Sequence, residues 1–143
     1  MCKEKIEYFY PVKDDKLVFT YHGNFDDNQN CEMNLKFNYG LYRINTENTN
    51  KRYKVSLLIE ENNGGRLVTV YGNDETSTKG KELYFNSEIN FDSNKKGYGN
   101  AYFYLNTGSF KLKKDCDYKA TLKLIDEHDN VLDTNYCYFD VED

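Results

Sequence analysis

The segment Tyr118-Lys-Ala120-Thr-Leu122-Lys-Leu124-Ile-Asp126 decides the fold class. Tyr118, Ala120, Leu122 and Leu124 alternate with Lys119, Thr121 and Lys123, a period of two that sends the first set to a buried face and the second to water. Glu127-His128-Asp129-Asn130 follows, with Asn and Asp that accept left-handed backbone angles, so the chain is predicted to reverse there. Val131, Leu132, Tyr136, Cys137, Tyr138, Phe139 and Val141 then form a return strand. Their parity shifts between Leu132 and Phe139, which predicts a bulge near Thr134-Asn135 and one outward member of the Tyr136 and Tyr138 pair.

Upstream, Phe110-Lys-Leu112 leads through a polar step at Asp115 and Asp117 into Tyr118. Leu112, the short polar approach and Asp117-Tyr118 at the head of an alternating strand resemble the tyrosine corner of immunoglobulin-like and fibronectin type III-like sandwiches. In those folds a Tyr opening the penultimate strand bonds back across the corner. The resemblance covers the last part of the chain and implies an Ig-like fold in which Tyr118 is structural. It departs from antibody domains in that Ala120 stands where the second core Cys would be and the chain has no Trp. Fold likeness of this kind implies no particular function.

The same alternation recurs toward the N-terminus. Ile6-Glu-Tyr8-Phe9-Tyr10 is strand-like and stops at Pro11, the only proline. A proline cannot donate to a ladder, so this is predicted to be an edge or first strand. Asp14-Asp15 turns the chain into Leu17-Val-Phe19-Thr-Tyr21, and His22 to Asn30 reads as a loop. Met33, Leu35, Phe37, Tyr39 and Leu41 alternate with Asn34, Lys36, Asn38, Gly40 and Tyr42, the pattern of a central strand. After a polar loop from Asn45 to Lys51, Val55, Leu57 and Ile59 begin a strand that turns at Asn62-Asn63-Gly64-Gly65, placing Leu67 and Tyr71 on the face of Ile59 and Val55.

Gly72 to Lys81 reads as a mobile connection. Leu83, Phe85 and Ile89 to Phe91 form a further strand with a break near Asn86-Ser87. Asp92 to Gly99 reads as a loop, and Ala101, Phe103 and Leu105 alternate with Tyr102 and Tyr104. Eight or nine short strands without helical periodicity predict one all-β domain over residues 1-143, an antiparallel Greek-key β-sandwich.

The chain has 143 residues and 16% aromatics, enough for one aromatic-rich core without cross-links. A net charge of −5 with dispersed Lys argues against a nucleic-acid binder. No apolar run reaches membrane-spanning length, and residues 1 to 10 lack the pattern of a secretory signal, so a cytoplasmic product is expected. The alternative is a surface lipoprotein with Cys2 as its lipid-bearing terminus. Cys2, Cys31, Cys116 and Cys137 have no close metal-ligand spacing and are expected as free thiols; a Cys116 to Cys137 bridge across the final hairpin is the alternative.

No catalytic constellation is legible. His22 and His128 sit in polar loops beside acidic residues, with no G-x-S-x-G motif near any serine. The acidic clusters at Asp26-Asp27, Asp74-Glu75 and Asp126-Glu127-Asp129 fall in turns, where Asp serves backbone bonding; none matches an EF-hand and no metal or other cofactor is expected, with calcium held by oxygen-rich loops at one end of the sandwich as the alternative. Gly64-Gly65 and Gly97-Tyr98-Gly99 lack the following helix of a phosphate cradle. The outward tyrosines carry the functional expectation. If Phe103 and Leu105 face the core, Tyr102 and Tyr104 face solvent, and Tyr42 does so by the same parity. Exposed Tyr supplies rigid amphipathic contact area for a protein or a stacking platform for a sugar. Together with His128 these tyrosines are the candidate contacts of a non-enzymatic module that binds a protein, as an inhibitor, a host-interaction protein or an accessory domain of a larger assembly, with a glycan as the alternative.

Overall fold

The structure is a computed structural model that describes residues 4–45, 52–72, 81–84, 92–95 and 98–143. The described residues form strands β1 (Lys5–Lys13), β2 (Lys16–Leu17), β3 (Thr20–His22), β4 (Asn30–Asn45), β5 (Arg52–Asn63), β6 (Arg66–Tyr71), β7 (Lys81–Tyr84), β8 (Asp92–Lys95), β9 (Tyr98–Lys113), β10 (Cys116–Ile125) and β11 (Val131–Glu142). Setting aside β2 and β3, of two and three residues, nine strands of four residues or more remain, within the expected eight or nine. The described residues contain no helix, and so none long and apolar enough to cross a membrane.

The strands form two sheets. One runs β2-β1-β4-β9-β8 and the other β3-β11-β10-β5-β6, with β7 also paired to β5. All pairs are antiparallel except β3 with β11, which run parallel. The chain passes between sheets from β4 to β5 and from β9 to β10, while β4 pairs with β9 and β5 with β10. The two crossings therefore interlock, which is what makes this an all-β sandwich of Greek-key type rather than a meander.

Leu35, Phe37, Tyr39 and Leu41 of β4 face Tyr53, Val55, Leu57 and Ile59 of β5 and Tyr118, Ala120, Leu122 and Leu124 of β10 across one core. Aromatic rings dominate its lower half: Phe9 packs on Phe37, Phe37 on Phe139, and Tyr21 meets Phe139 edge-on at 5.4 Å. The Tyr21 hydroxyl lies 3.2 Å from the Val12 carbonyl and 3.1 Å from that of Lys36, so a side chain of one sheet ties down the backbone of the other.

Tyr118 turns the corner between β9 and β10. Its hydroxyl accepts the Lys113 N–H at 2.7 Å and donates to the buried Glu61 carboxylate at 3.1 Å. Its ring stacks on Phe139 at 5.2 Å. Both polar functions of a fully buried phenol are thus used, as burial of a hydroxyl requires.

Several local expectations are corrected. The register of β10 against β11 is continuous from Cys116↔Val141 to Leu124↔Asp133 and shifts only between Leu124 and Ile125, so the irregularity lies at Leu132, ahead of Thr134-Asn135. Cys137, Phe139 and Val141 consequently share the core side, and Tyr136 and Tyr138 both face out, 49% and 64% exposed. Tyr71 does pair with Ile59, but a shift beside Glu60 sets Leu67 opposite Asn62, on the solvent side. Asp92–Lys95 is a strand and not a loop, and Tyr98 and Gly99 already belong to β9, pairing with Asn45 and Ile44. That segment has no apolar alternation; its conformation comes from the strand it lies against, the usual override of local preference in sheets. The expected break at Asn86-Ser87, Phe85 and Ile89 to Phe91 lie outside the described residues, as do residues 46–51 and 73–80.

Replacing Tyr118 with Phe leaves the Lys113 N–H without its acceptor and the Glu61 carboxylate without its donor. The expected cost is about 1–3 kcal/mol in urea unfolding, with the far-ultraviolet spectrum of the folded chain unchanged.

Candidate partner-binding face

The outer face of the first sheet is built in rows. Tyr8, Gly40 and Tyr102 lie in one row across β1, β4 and β9, and Tyr10, Asn38 and Tyr104 in the next. The strict alternation of β4 puts Tyr39 and Phe37 into the core and leaves Asn38 and Gly40 outside. Gly40 has no side chain, and the Tyr8 ring takes that space: a Cβ at Gly40 would overlap the ring. Tyr8 thereby comes within 5.9 Å of Tyr102, the two rings 14° from parallel, and 5.5 Å from Tyr10. The Asn38 amide donates to the Tyr10 hydroxyl at 3.4 Å, and the Lys36 ammonium sits 4.1 Å above the Tyr104 ring.

Tyr102 and Tyr104 are 58% and 61% exposed, while Tyr8 and Tyr10 are half-buried between them and the sheet. Burial, followed by the neighbouring phenols of Tyr10 and Tyr102 and by Glu7, pushes the Tyr8 phenol above its usual range. The Tyr8 hydroxyl therefore stays protonated and can donate as well as accept, in a face of rings with the Lys36 ammonium at its margin.

Of the residues expected to make contact, Tyr102 and Tyr104 stand together at the centre of this face. Tyr42 flanks it, half-buried opposite Lys5, just before β4 bulges at Arg43, whose φ is +61°. His128 is not part of it: it sits on the turn between β10 and β11 of the other sheet, 3.6 Å from Glu127. Tyr8, Tyr10 and Gly40 are the members that the sequence did not reveal. Tyr8 and Tyr10 share a parity on either side of Phe9, which marks them as outward. Their arrival beside Tyr102 and Tyr104 depends on β1 and β9 flanking the same strand, which alternation cannot supply.

The acidic turns have backbone work to do. Asp26 accepts the N–H groups of Asn28 and Asn30, and Asp126 accepts those of His128 and Asn130, all at 2.9 Å. Gln29 and Asp129 take the left-handed conformation at equivalent places, with φ of +66° and +64°. At Asp126 the upward push of burial is outweighed by the hydrogen bonds from Asn130 and His128, and its carboxyl stays below the usual range. His22 pairs with Glu142 at 3.8 Å. Asp74-Glu75 lies outside the described residues, among which no cluster of three metal-ligating side chains forms.

Cys31, Cys116 and Cys137 are free thiols, and Cys2 lies outside the described residues. Cys116 pairs with Val141 and Cys137 with Ala120, four residues apart along β10. That separation is about 14 Å at strand rise, twice the reach of a disulfide. Burial pushes the Cys137 thiol up to about 12. A thiol reagent at pH 8 is therefore expected to label Cys137 only after unfolding. The neutral thiol's contribution to stability is whole below its ordinary pKa of 9 and is lost as pH rises toward 12.

A Gly40→Ala change should expel the Tyr8 ring and open the Tyr8–Tyr102 stack. Because the displaced atoms are the far end of a side chain, the expected cost is about 1 kcal/mol, the bottom of the overpacking range. Loss of nuclear Overhauser contacts between the two rings, with the urea midpoint lowered by about 0.5 M, is the outcome to look for. Neither a scan against protein-family models nor a search of the curated proteins finds a match to this chain.

Proposed function

We propose that this chain is an immunoglobulin-like, non-enzymatic binding module that holds a protein partner against the tyrosine face of its first sheet. The order β1-β4-β9-β8 opposite β6-β5-β10-β11, a corner tyrosine before β10 and a short parallel strand on β11 support the immunoglobulin-like reading. The carrying observation for binding is the cluster of Tyr8, Tyr10, Tyr102 and Tyr104 around Gly40, with Lys36 at its margin. A sheet face normally turns charged and polar side chains to water. Here it turns rings, which contribute large contact area at low ordering cost.

The module acts as an inhibitor, a host-interaction protein or an accessory domain of an assembly, and its free thiols suit the cytoplasm. A glycan is the second reading, favoured by the Asn38 amide beside the rings, since sugar recognition combines stacking with nearby polar groups.

The test is affinity capture from the source cell with the wild-type chain and with Tyr102→Ala/Tyr104→Ala. Tyr hot spots contribute about 1–2 kcal/mol each, so the double variant should weaken a retrieved partner tenfold or more. Retrieval of the same proteins at the same strength by both would remove this face as the interface. Saturable binding on a glycan array, lost in the double variant, would replace the protein by a sugar.

A further inference from the structure

The outer face of the second sheet carries a groove of about 400 Å³ that is independent of the tyrosine face. The registers of five strands bring Thr20, Asp140, Asp117, Asn62 and Leu67 into one row across it. Asp140 and Asp117 are direct cross-strand partners. Like charges so placed destabilise a sheet, and among the described residues neither carboxylate has an ion pair. Asp140 Oδ1 is buried with no hydrogen-bond donor. Phe19 and Tyr138 line the groove, 71% and 64% exposed, and Leu67 lies at its far side. Lys119 also borders it, but its ammonium is drawn 4.3 Å over the Tyr136 ring. The free protein therefore keeps two opposed carboxylates beside apolar rings, an arrangement that costs stability and that a cation would relieve.

We propose that this groove is the docking site for an arginine side chain of a protein partner. A guanidinium is planar and weakly hydrated, so it can stack on the rings of Phe19 and Tyr138 while its fork of donors serves Asp117 and Asp140 together. A lysine ammonium, compact and strongly hydrated, fits the apolar lining less well. A calcium ion needs six to eight oxygens, more than Asp117, Asp140 and Asn62 supply around a largely apolar hollow.

The test is a titration of the isotope-labelled full chain with acetyl-arginine methylamide, followed by amide chemical shifts. The parallel probes are acetyl-lysine methylamide, the uncharged citrulline analogue, the norleucine analogue and calcium chloride. Saturable shifts around Phe19, Leu67 and Tyr138 are expected with arginine, weaker with lysine and absent with citrulline and norleucine. Asp140→Asn should weaken arginine binding about tenfold or more. Asp117→Asn should weaken it while raising the urea midpoint of the free protein, because the like-charge opposition is gone. The Tyr102→Ala/Tyr104→Ala variant should bind arginine as the wild type does, which separates this site from the tyrosine face. Silence toward arginine, equal shifts with norleucine, or a stronger response to calcium at the same residues would overturn the proposal. So would shifts that follow protein concentration alone, since they would make a second copy of the chain the occupant.

Discussion

The hydroxyl of Tyr118 is the point on which the two sheets agree. It fixes the Lys113 backbone at the end of β9, satisfies Glu61 from β5, and belongs to β10, so one buried group sets the crossing between the sheets and the register of two neighbouring strands. The ring adds stacking on Phe139 of β11. A buried phenol and a buried carboxylate would each be costly alone; each is the other's solution. Tyr21 repeats the device from the short strand β3, whose hydroxyl reaches carbonyls of β1 and β4. The sandwich is held at these polar stitches as well as by apolar burial.

Because the crossings interlock, β4 and β9 are forced to be neighbours although 68 residues of sequence separate their starts at Asn30 and Tyr98, and β1 is forced onto the other side of β4. That topology gathers side chains from three distant segments into one outward face. In the second sheet the hairpin of β10 and β11 sets Asp140 opposite Asp117, and the interlock adds Asn62 from β5. The tyrosine face is a product of long-range pairing, and both surface features stand on a rigid frame, where binding groups are commonly carried.

What the sequence reveals follows the range of the interaction. The hairpin of β10 and β11 was legible because alternation and turn chemistry are local, and the Asn62 to Gly65 turn likewise, with Gly64 and Gly65 at φ of +63° and +88°. The corner tyrosine was legible because its approach from Leu112 is local too. The bulge was expected two or three residues late, since parity says only that a shift occurs and not which pair of hydrogen bonds absorbs it. Alternation puts Leu67 on the wrong face for a related reason: one irregularity beside Glu60 inverts everything beyond it. Tyr102 and Tyr104 could be read as outward from Phe103 and Leu105, but Tyr8 and Gly40 could not, because no local pattern names the lateral neighbour of a distant strand; the opposed aspartates lie within the legible hairpin, and only their register was hidden.

The vacancy at Gly40 has an entropic consequence. A tyrosine on an open sheet face ordinarily samples several rotamers, and ordering it on contact subtracts from affinity. Here Tyr8 is seated in a notch and braces Tyr102, while Lys36 and Asn38 engage Tyr104 and Tyr10. Much of that ordering is completed when the chain folds. A partner held there as proposed would meet a shaped, stiff surface, so that recognition would resemble lock and key more than adaptive fit, with the shape set by the one position in β4 that has no side chain.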